Sequence, residues 1–320
     1  MNTHRLAPTI AIALLFAASA LAADARIEIQ RDDAKGEMHI RIDGRDALVY
    51  QYGSEVDLPH YYPVHSPSDK LLTIQQTDPY PHHRSFWFAD TVVLEGQRQV
   101  SFYNALYSRM DKKDPKSPFR DHIKQVEFLP VKAGGNQAEF AKKLVWEMDR
   151  KTPVLDELRE VRAVALGQGE YFLDMRCTVT ASYGDVKFVS DGAHYAWPYV
   201  RIHPQFSVQK GGKIVNSEGG FDQKGTNGKP AHWVDYSGTV EGATEGLTIF
   251  SHPDNGYPHL WLTRDYGTFG PRRMDPQNGK PFTVKKGQSL KQRVGILVHT
   301  GDVKAGKVAE RYNQYVEGKL

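Results

Sequence analysis

The chain has 320 residues, 40% of them hydrophobic, with 41 Lys and Arg against 38 Asp and Glu for a formal charge of +3. A balance so near neutral lacks the basic stripe that nucleic acid requires, and a single cysteine leaves no internal disulfide framework and no cysteine-held metal cluster. Aromatics at 11%, with 28 Gly and 18 Pro, point to many strands joined by turns rather than to a helical bundle.

Residues 1–22 read as a secretory signal peptide. Arg5 stands near the front, an apolar run covers Ile10–Ala18, and Ala20-Leu21-Ala22 forms a small-x-small cleavage site. The run falls short of the ~20 residues of a spanning helix. A periplasmic or secreted mature chain of residues 23–320, without a membrane span, is therefore expected. Period-2 alternation then predicts strands at Glu37–Ile42, Ala47–Tyr52, Leu71–Gln75, Val100–Tyr107, Ile123–Leu129, Ala138–Met148, Glu157–Ala165, Tyr171–Ala181, Trp233–Val240, Leu247–Ser251 and Leu290–His299. The clearest is Tyr171–Ala181, where Tyr171, Leu173, Met175, Cys177, Val179 and Ala181 share one face. Cys177 lies on that core face and is expected to be buried and inert. Between Val100–Tyr107 and Ile123–Leu129 the charged stretch Arg109–Asp121 reads as a long polar surface loop. One helix is expected, Val303–Val316, with Asp302 capping its start. More than ten strands with hairpin-scale spacing predict an all-β domain over residues 23–320, a large antiparallel two-sheet sandwich with a short C-terminal helix.

Three clusters carry the chemistry. In Pro79-Tyr-Pro-His82-His83-Arg84-Ser-Phe-Trp87-Phe, two prolines bring a rigid turn up to two imidazoles and a guanidinium, and an aromatic strand follows. Imidazole supplies an acid, a base or a metal ligand near neutral pH, and guanidinium a forked donor for a carboxylate. Neighbours on a straight strand face opposite ways, so the turn decides whether both histidines reach one pocket. In His194-Tyr-Ala-Trp197-Pro-Tyr199-Val-Arg201-Ile-His203, an extended backbone puts Trp197, Tyr199, Arg201 and His203 on one face. That composition suits either a sugar-stacking surface or an aromatic core stripe. The third cluster runs from Ser251 to Arg264: a turn carrying His252 and Asn255 leads into a short strand with Trp261 and, at its end, Arg264.

Of 13 histidines, none shows an H-x-H, H-x₃-H or H-E-x-x-H spacing. No metal ligand set is therefore assigned. A divalent cation held across distant loops, by His82 or His83 with His194 or His252, is the open alternative. Nucleophile-elbow and nucleotide-loop motifs are absent, so no nucleotide cofactor is implied. The abundance of His, Arg and Tyr over any evident Asp/Glu pair suits proton abstraction beside a carboxylate slightly better than glycoside hydrolysis, which needs two carboxylates.

The strings Asp-x-Tyr-Pro-His-His-Arg-Ser-x-Trp-Phe-Ala at 78–89, Trp-x-Asp-Tyr-Ser-Gly at 233–238, His-Pro-x-Asn-x-x-Pro-x-x-Trp-x-x-Arg at 252–264 and Val-His-x-Gly-Asp at 298–302 together resemble a secreted bacterial family of unknown function. That family is commonly labelled "methane oxygenase PmoA", although the membrane-embedded oxygenase subunit of that name is a different protein. The resemblance points to His82, His83, Arg84, Trp87, His252, Asn255, Trp261 and Arg264. It implies carbohydrate catabolism and, with the strand count, a sandwich like that of galactose mutarotases.

The expected function is a carbohydrate-active enzyme, a lyase or hydrolase with an epimerase as a variant, whose partner is a saccharide. His82, His83, His194 and His252, with Arg84, would serve catalysis. Trp87, Trp197, Tyr199, Arg201, Asn255, Trp261 and Arg264 would hold substrate. A non-catalytic glycan-binding module and a metal-dependent oxygenase are the alternatives. Neither the sugar nor the oligomeric state follows from the residues.

Overall fold

The computed structural model describes residues 27–189, 196–256, 259–273 and 280–320. Among them two nine-stranded antiparallel sheets enclose the main core. The front sheet runs, in spatial order, Ile27–Asp32, Glu37–Ile42, Arg45–Gln51, His60–Val64, Phe86–Trp87, Tyr199–Arg201, Thr268–Pro271, His259–Thr263 and Pro230–Ala231. The back sheet runs Lys213–Asn216, Trp233–Val240, Ala243–Ser251, Ser289–Thr300, Glu170–Thr180, Thr152–Gly167, Gln137–Met148 and His122–Phe128, with Lys132–Gly134 added along Gln137–Met148. The all-β antiparallel sandwich with its short C-terminal helix is as expected. A third, four-stranded sheet (Phe282–Val284, Val186–Phe188, Thr91–Leu94, Gln99–Ser101) extends it. Val92, Val100, Val186, Phe188 and Val284 of these short strands join the same core. No helix among the described residues is long and apolar enough to cross a membrane.

The long back-sheet strands form where alternation is strongest. Along Glu170–Thr180, the inward Tyr171, Leu173, Met175, Cys177 and Val179 are buried in the main core. The opposite face is not simply wet: Phe172 is buried with Phe250, Leu297, Val308, Tyr312 and Tyr315 in a second core. The C-terminal helix, Val308–Val316, lies over this face, with the Tyr315 ring 5.1 Å from Phe172. Gly295 makes room beneath it, since a Cβ there would stand 2.6 Å from the Phe172 ring.

Several boundaries differ from expectation for local reasons. The helix starts five residues late. Lys307 has a left-handed φ of 50°, which right-handed helix cannot continue through, and Gly306 before it packs so closely that a Cβ would sit 2.3 Å from His299 Nδ1. Asp302 caps the preceding turn instead, accepting from the Lys304 and Ala305 N–H groups at 3.0 and 2.9 Å. Leu71–Gln75 forms only isolated bridges, His65 with Leu71 and Thr73 with Ile202. The expected strand Val100–Tyr107 ends at Ser101 and continues as a 3₁₀ turn over Ala105–Ser108. After Ser251 the chain passes from the back sheet to the front, where His259–Thr263 pairs with Thr268–Pro271 and Pro230–Ala231.

Candidate functional site

The turn before Phe86–Trp87 decides how the histidines point. Tyr80 N–H donates to Thr77 O at 2.9 Å, and His83 N–H to Tyr80 O at 3.0 Å. These bonds coil the backbone, so the His82 and His83 rings meet edge to face at 4.6 Å instead of facing apart. The break after Ser101 then brings two tyrosines over them. Tyr103 lies 5.2 Å and Tyr107 5.7 Å from the His82 ring. From the far side come Arg201, at the end of Tyr199–Arg201, and Tyr266 and Thr268, where Thr268–Pro271 begins.

His83 is buried and held on all sides. Its Nε2 is 2.8 Å from the Tyr103 hydroxyl, its Nδ1 is 3.4 Å from Thr268 Oγ1, and its ring stacks on Tyr80 at 4.8 Å. Tyr80 in turn stacks on Tyr266 at 5.1 Å. Burial, with His82 and Arg201 adding to it, pushes the His83 pKa down to about 3, so the imidazole is neutral at physiological pH. Where Tyr103 donates to Nε2, the ring proton sits on Nδ1 and faces Thr268. His82 is half-buried, with Nδ1 3.2 Å from the Tyr107 hydroxyl, and burial lowers its pKa as well.

Arg201 supplies the charge. It is 5% exposed, donates from Nη1 to Tyr266 O at 2.7 Å and to Thr268 Oγ1 at 3.3 Å, and lies 4.4 Å over the Tyr266 ring. Its Nε is buried without a partner. The groups that raise its pKa against burial are tyrosines, and no carboxylate pairs with it among the described residues. A buried guanidinium without an acid is costly on its own. Next to a neutral histidine and a ring of phenols, it can receive a carboxylate and assist removal of the proton beside it.

The other expected site residues have different surroundings. Arg84 is buried against Asp57, with Nε 3.0 Å from Oδ1 and Nη2 closing a second contact, so it is an internal ion pair and not an anion clamp. Trp87, Trp197 and Trp261 are fully buried and cannot offer a stacking face. Trp87 stacks on buried Tyr199 at 4.8 Å. The Trp197 and Trp261 indoles donate to Ala89 O at 3.2 Å and Ala231 O at 2.9 Å. Trp197 and Tyr199 thus belong to an aromatic core stripe, and Arg201, at the end of Tyr199–Arg201, turns to the site. His252 caps a 3₁₀ turn, accepting from Asp254 N–H at 3.1 Å, and packs against Tyr315 of the helix at 5.0 Å. Asn255 pins that turn through two bonds to the Arg293 backbone at 2.6 and 2.7 Å. Arg264 is bound to Asn227 Oδ1 at 2.8 Å and Thr263 O at 2.9 Å. His194 lies outside the described residues. The metal alternative paired His82 or His83 with His194 or His252; among the described residues no group of three or more His, Cys, Asp or Glu side chains is arranged to hold a metal ion. Sequence reasoning missed Tyr103, Tyr107, Tyr266 and Thr268. The available signal was the i, i+4 spacing of Tyr103 and Tyr107 beside Asn104, a residue that favours turns over strand.

The chain belongs to a family of unknown function (DUF6807), whose model matches residues 37–313. The family description carries no oxygenase activity, so the methane-oxygenase label finds no support there. A search of curated proteins by sequence finds no match. Among solved structures, the chain is similar to the GH36 alpha-galactosidase AgaB from Geobacillus stearothermophilus, at 9% identity and a TM-score of 0.48, over 87% of this chain and 42% of that one. It thus spans about two-fifths of that enzyme's length. A polysaccharide lyase matches at 13% identity and 0.35, over 88% of this chain and 33% of that one. A GalM/aldose epimerase homologue from C. elegans matches at 8% identity and 0.32, over 87% and 100%. All three are carbohydrate-active by description, and at these scores the likeness adds nothing to the chemistry of the site.

Proposed function

We propose that the chain is an exported carbohydrate-active enzyme that acts on a sugar bearing a carboxylate, as a lyase. The observation that carries this reading is Arg201, a buried cation that pairs with no acid among the described residues, beside the neutral His83 and its Tyr103 partner. The substrate carboxylate would pair with Arg201, which makes the adjacent C–H more acidic by stabilising the charge that develops as its proton leaves. With the substrate carboxylate offsetting the Arg201 charge that helps hold the His83 pKa down, Tyr103 would pass its own proton toward His83 as it takes the substrate's. The electron pair left behind forms a C=C bond as the C–O bond on the next carbon breaks, and the Tyr107 hydroxyl, hydrogen-bonded to His82 at 3.2 Å, would deliver a proton to the departing oxygen and regain one from solvent. A hydrolase is less well supported, because it needs two carboxylates. The side chains in ring contact or hydrogen bond with His82 and His83 are Tyr80, Tyr103, Tyr107, Trp87 and Thr268.

The second reading, a glycan-binding module, draws on the Tyr80–Tyr266 stack and the exposed Tyr107, which offer aromatic faces to a sugar. Assays of His82→Ala, Tyr103→Phe and Arg201→Gln on uronate-containing and neutral oligosaccharides separate the two. The lyase reading expects unsaturated product from the uronate substrates alone, lost in each variant. Unaltered sugar that still binds all three variants, and fails to bind Tyr80→Ala, would favour the binding module.

A further inference from the structure

A cavity of about 300 Å³ opens where the edge strand His122–Phe128 pairs with Gln137–Met148. His122 and Glu147 are directly opposed across that ladder, with His122 Nε2 3.4 Å from Glu147 Oε1. The His122 side chain is 10% exposed, and its Nδ1 has no hydrogen-bond partner among the described residues. Tyr52 and Phe119 form apolar walls, and Lys124 and Arg150 stand exposed at the rim. The cavity shares no lining residue with the His83 cluster; the two are linked through Asp57, whose carboxylate holds Arg84 and whose carbonyl accepts from Ile123 N–H at 3.0 Å.

The lining chemistry narrows the ligand. Two cations face one carboxylate, and that carboxylate is already engaged by His122, so the unspent charge is positive. Glu147, His122 and Gln125 offer acceptors and donors suited to hydroxyl groups. The volume is at the small end of ligand pockets, which suits one sugar ring better than a chain. Arg150 is held over the cavity by a turn in which both Asp149 and Arg150 have left-handed φ, 54° and 55°, with its Nη1 donating to Phe119 O at 3.0 Å. We propose that this cavity is a separate binding site for an acidic sugar unit, with the carboxylate on Arg150 and Lys124 and the hydroxyls on Glu147 and His122. It stands whether or not the His83 cluster turns over substrate.

The test is calorimetric titration of the full chain with sodium glucuronate and with glucose. Arg150→Asn removes the cation while keeping a side chain that tolerates left-handed φ, and Lys124→Gln removes the other at an exposed position. The expected result is saturable glucuronate binding, glucose at least tenfold weaker, and at least a tenfold loss for glucuronate in Arg150→Asn, with a smaller loss in Lys124→Gln. Absence of saturable glucuronate binding, equal affinity for glucose, or binding that both rim variants leave intact overturns the site. Glucuronate binding lost in Arg201→Gln but kept in Arg150→Asn overturns it too, and assigns the ligand to the His83 cluster.

Discussion

Arg84 separates a structural from a catalytic reading of the His-His-Arg string. Its side chain is 4% exposed and that of Asp57 1%, and Asp57 Oδ1 also accepts from Leu58 N–H at 3.0 Å. Truncating Arg84 to Ala leaves the Asp57 carboxylate buried without its counter-charge, which costs ~3–5 kcal/mol. With ~2–4 °C per kcal/mol for a chain of this class, the melting temperature should fall by on the order of 10 °C. Replacing both members by neutral groups of similar shape is often close to neutral. The double variant Arg84→Met/Asp57→Asn, which keeps an acceptor for Leu58, should therefore recover most of the loss. Urea and thermal unfolding followed by circular dichroism measure both effects. A single variant that melts like the parent yet loses turnover would mean that Arg84 meets substrate and that the ion pair is incidental. A double variant no better than the single one would refute the electrostatic argument.

Other consequences are open to direct measurement. Burial first, and then the charge of Arg84, brings His60 to about 3, and burial brings His83 to about 3. Both bind protons more readily unfolded, so their stability contribution is present above pH ~6.5 and is lost as the pH falls toward 3, by up to ~1.4 kcal/mol per pH unit for each. Urea midpoints that stay flat between pH 7 and 5 would contradict this. His299 has the opposite sign: burial opposes its charge, but Asp235, 2.8 Å from Nε2, together with the Thr300 carbonyl and Glu170, outweighs it and raises the pKa. Its contribution is complete below pH ~6.5 and is lost as the pH rises through the raised value, so the stability gap between parent and Asp235→Asn should narrow toward alkaline pH. Cys177 is buried, and burial followed by the Glu157 carboxylate raises its thiol well above the ordinary range. It should resist an aromatic disulfide reagent in native protein and react once per chain in denaturant; rapid native labelling would refute the burial.

What was legible in the chain follows from how each element is buried. Trp233–Val240 and Glu37–Ile42 have the bounds expected from alternation. The same pattern places Glu170–Thr180 to within a residue at either end, because the face from Tyr171 to Val179 is buried throughout while Arg176, Thr178 and Thr180 on the other face stay at least partly open to solvent. Phe86–Trp87, Tyr199–Arg201 and Thr268–Pro271 are two to four residues long and buried throughout, so they carry no period to read. The same short strands frame the candidate site. The His82-His83 string located it, because two prolines and two imidazoles at a strand start are a strong local signal. Its composition was misread where partners are distant: Asp57 lies 27 positions before Arg84 and turns a supposed clamp into a core ion pair. Tryptophans assigned to sugar are core, since the largest aromatic side chains also bury the most apolar surface. The site's own aromatic residues are tyrosines, half-buried Tyr80, Tyr103 and Tyr266 and exposed Tyr107, whose hydroxyls can meet both protein and solvent.

The role of the Tyr103–His83 pair and Arg201 can be read from the fate of one hydrogen. An acidic oligosaccharide incubated with the protein and followed by proton NMR reports whether the C–H beside the carboxylate is lost as the chain is cut. Loss of that hydrogen with a new alkene signal, abolished in Tyr103→Phe at an unchanged melting temperature, is the expected result. Cleavage that keeps the hydrogen and yields a saturated end, or equal turnover by Tyr103→Phe, would contradict it.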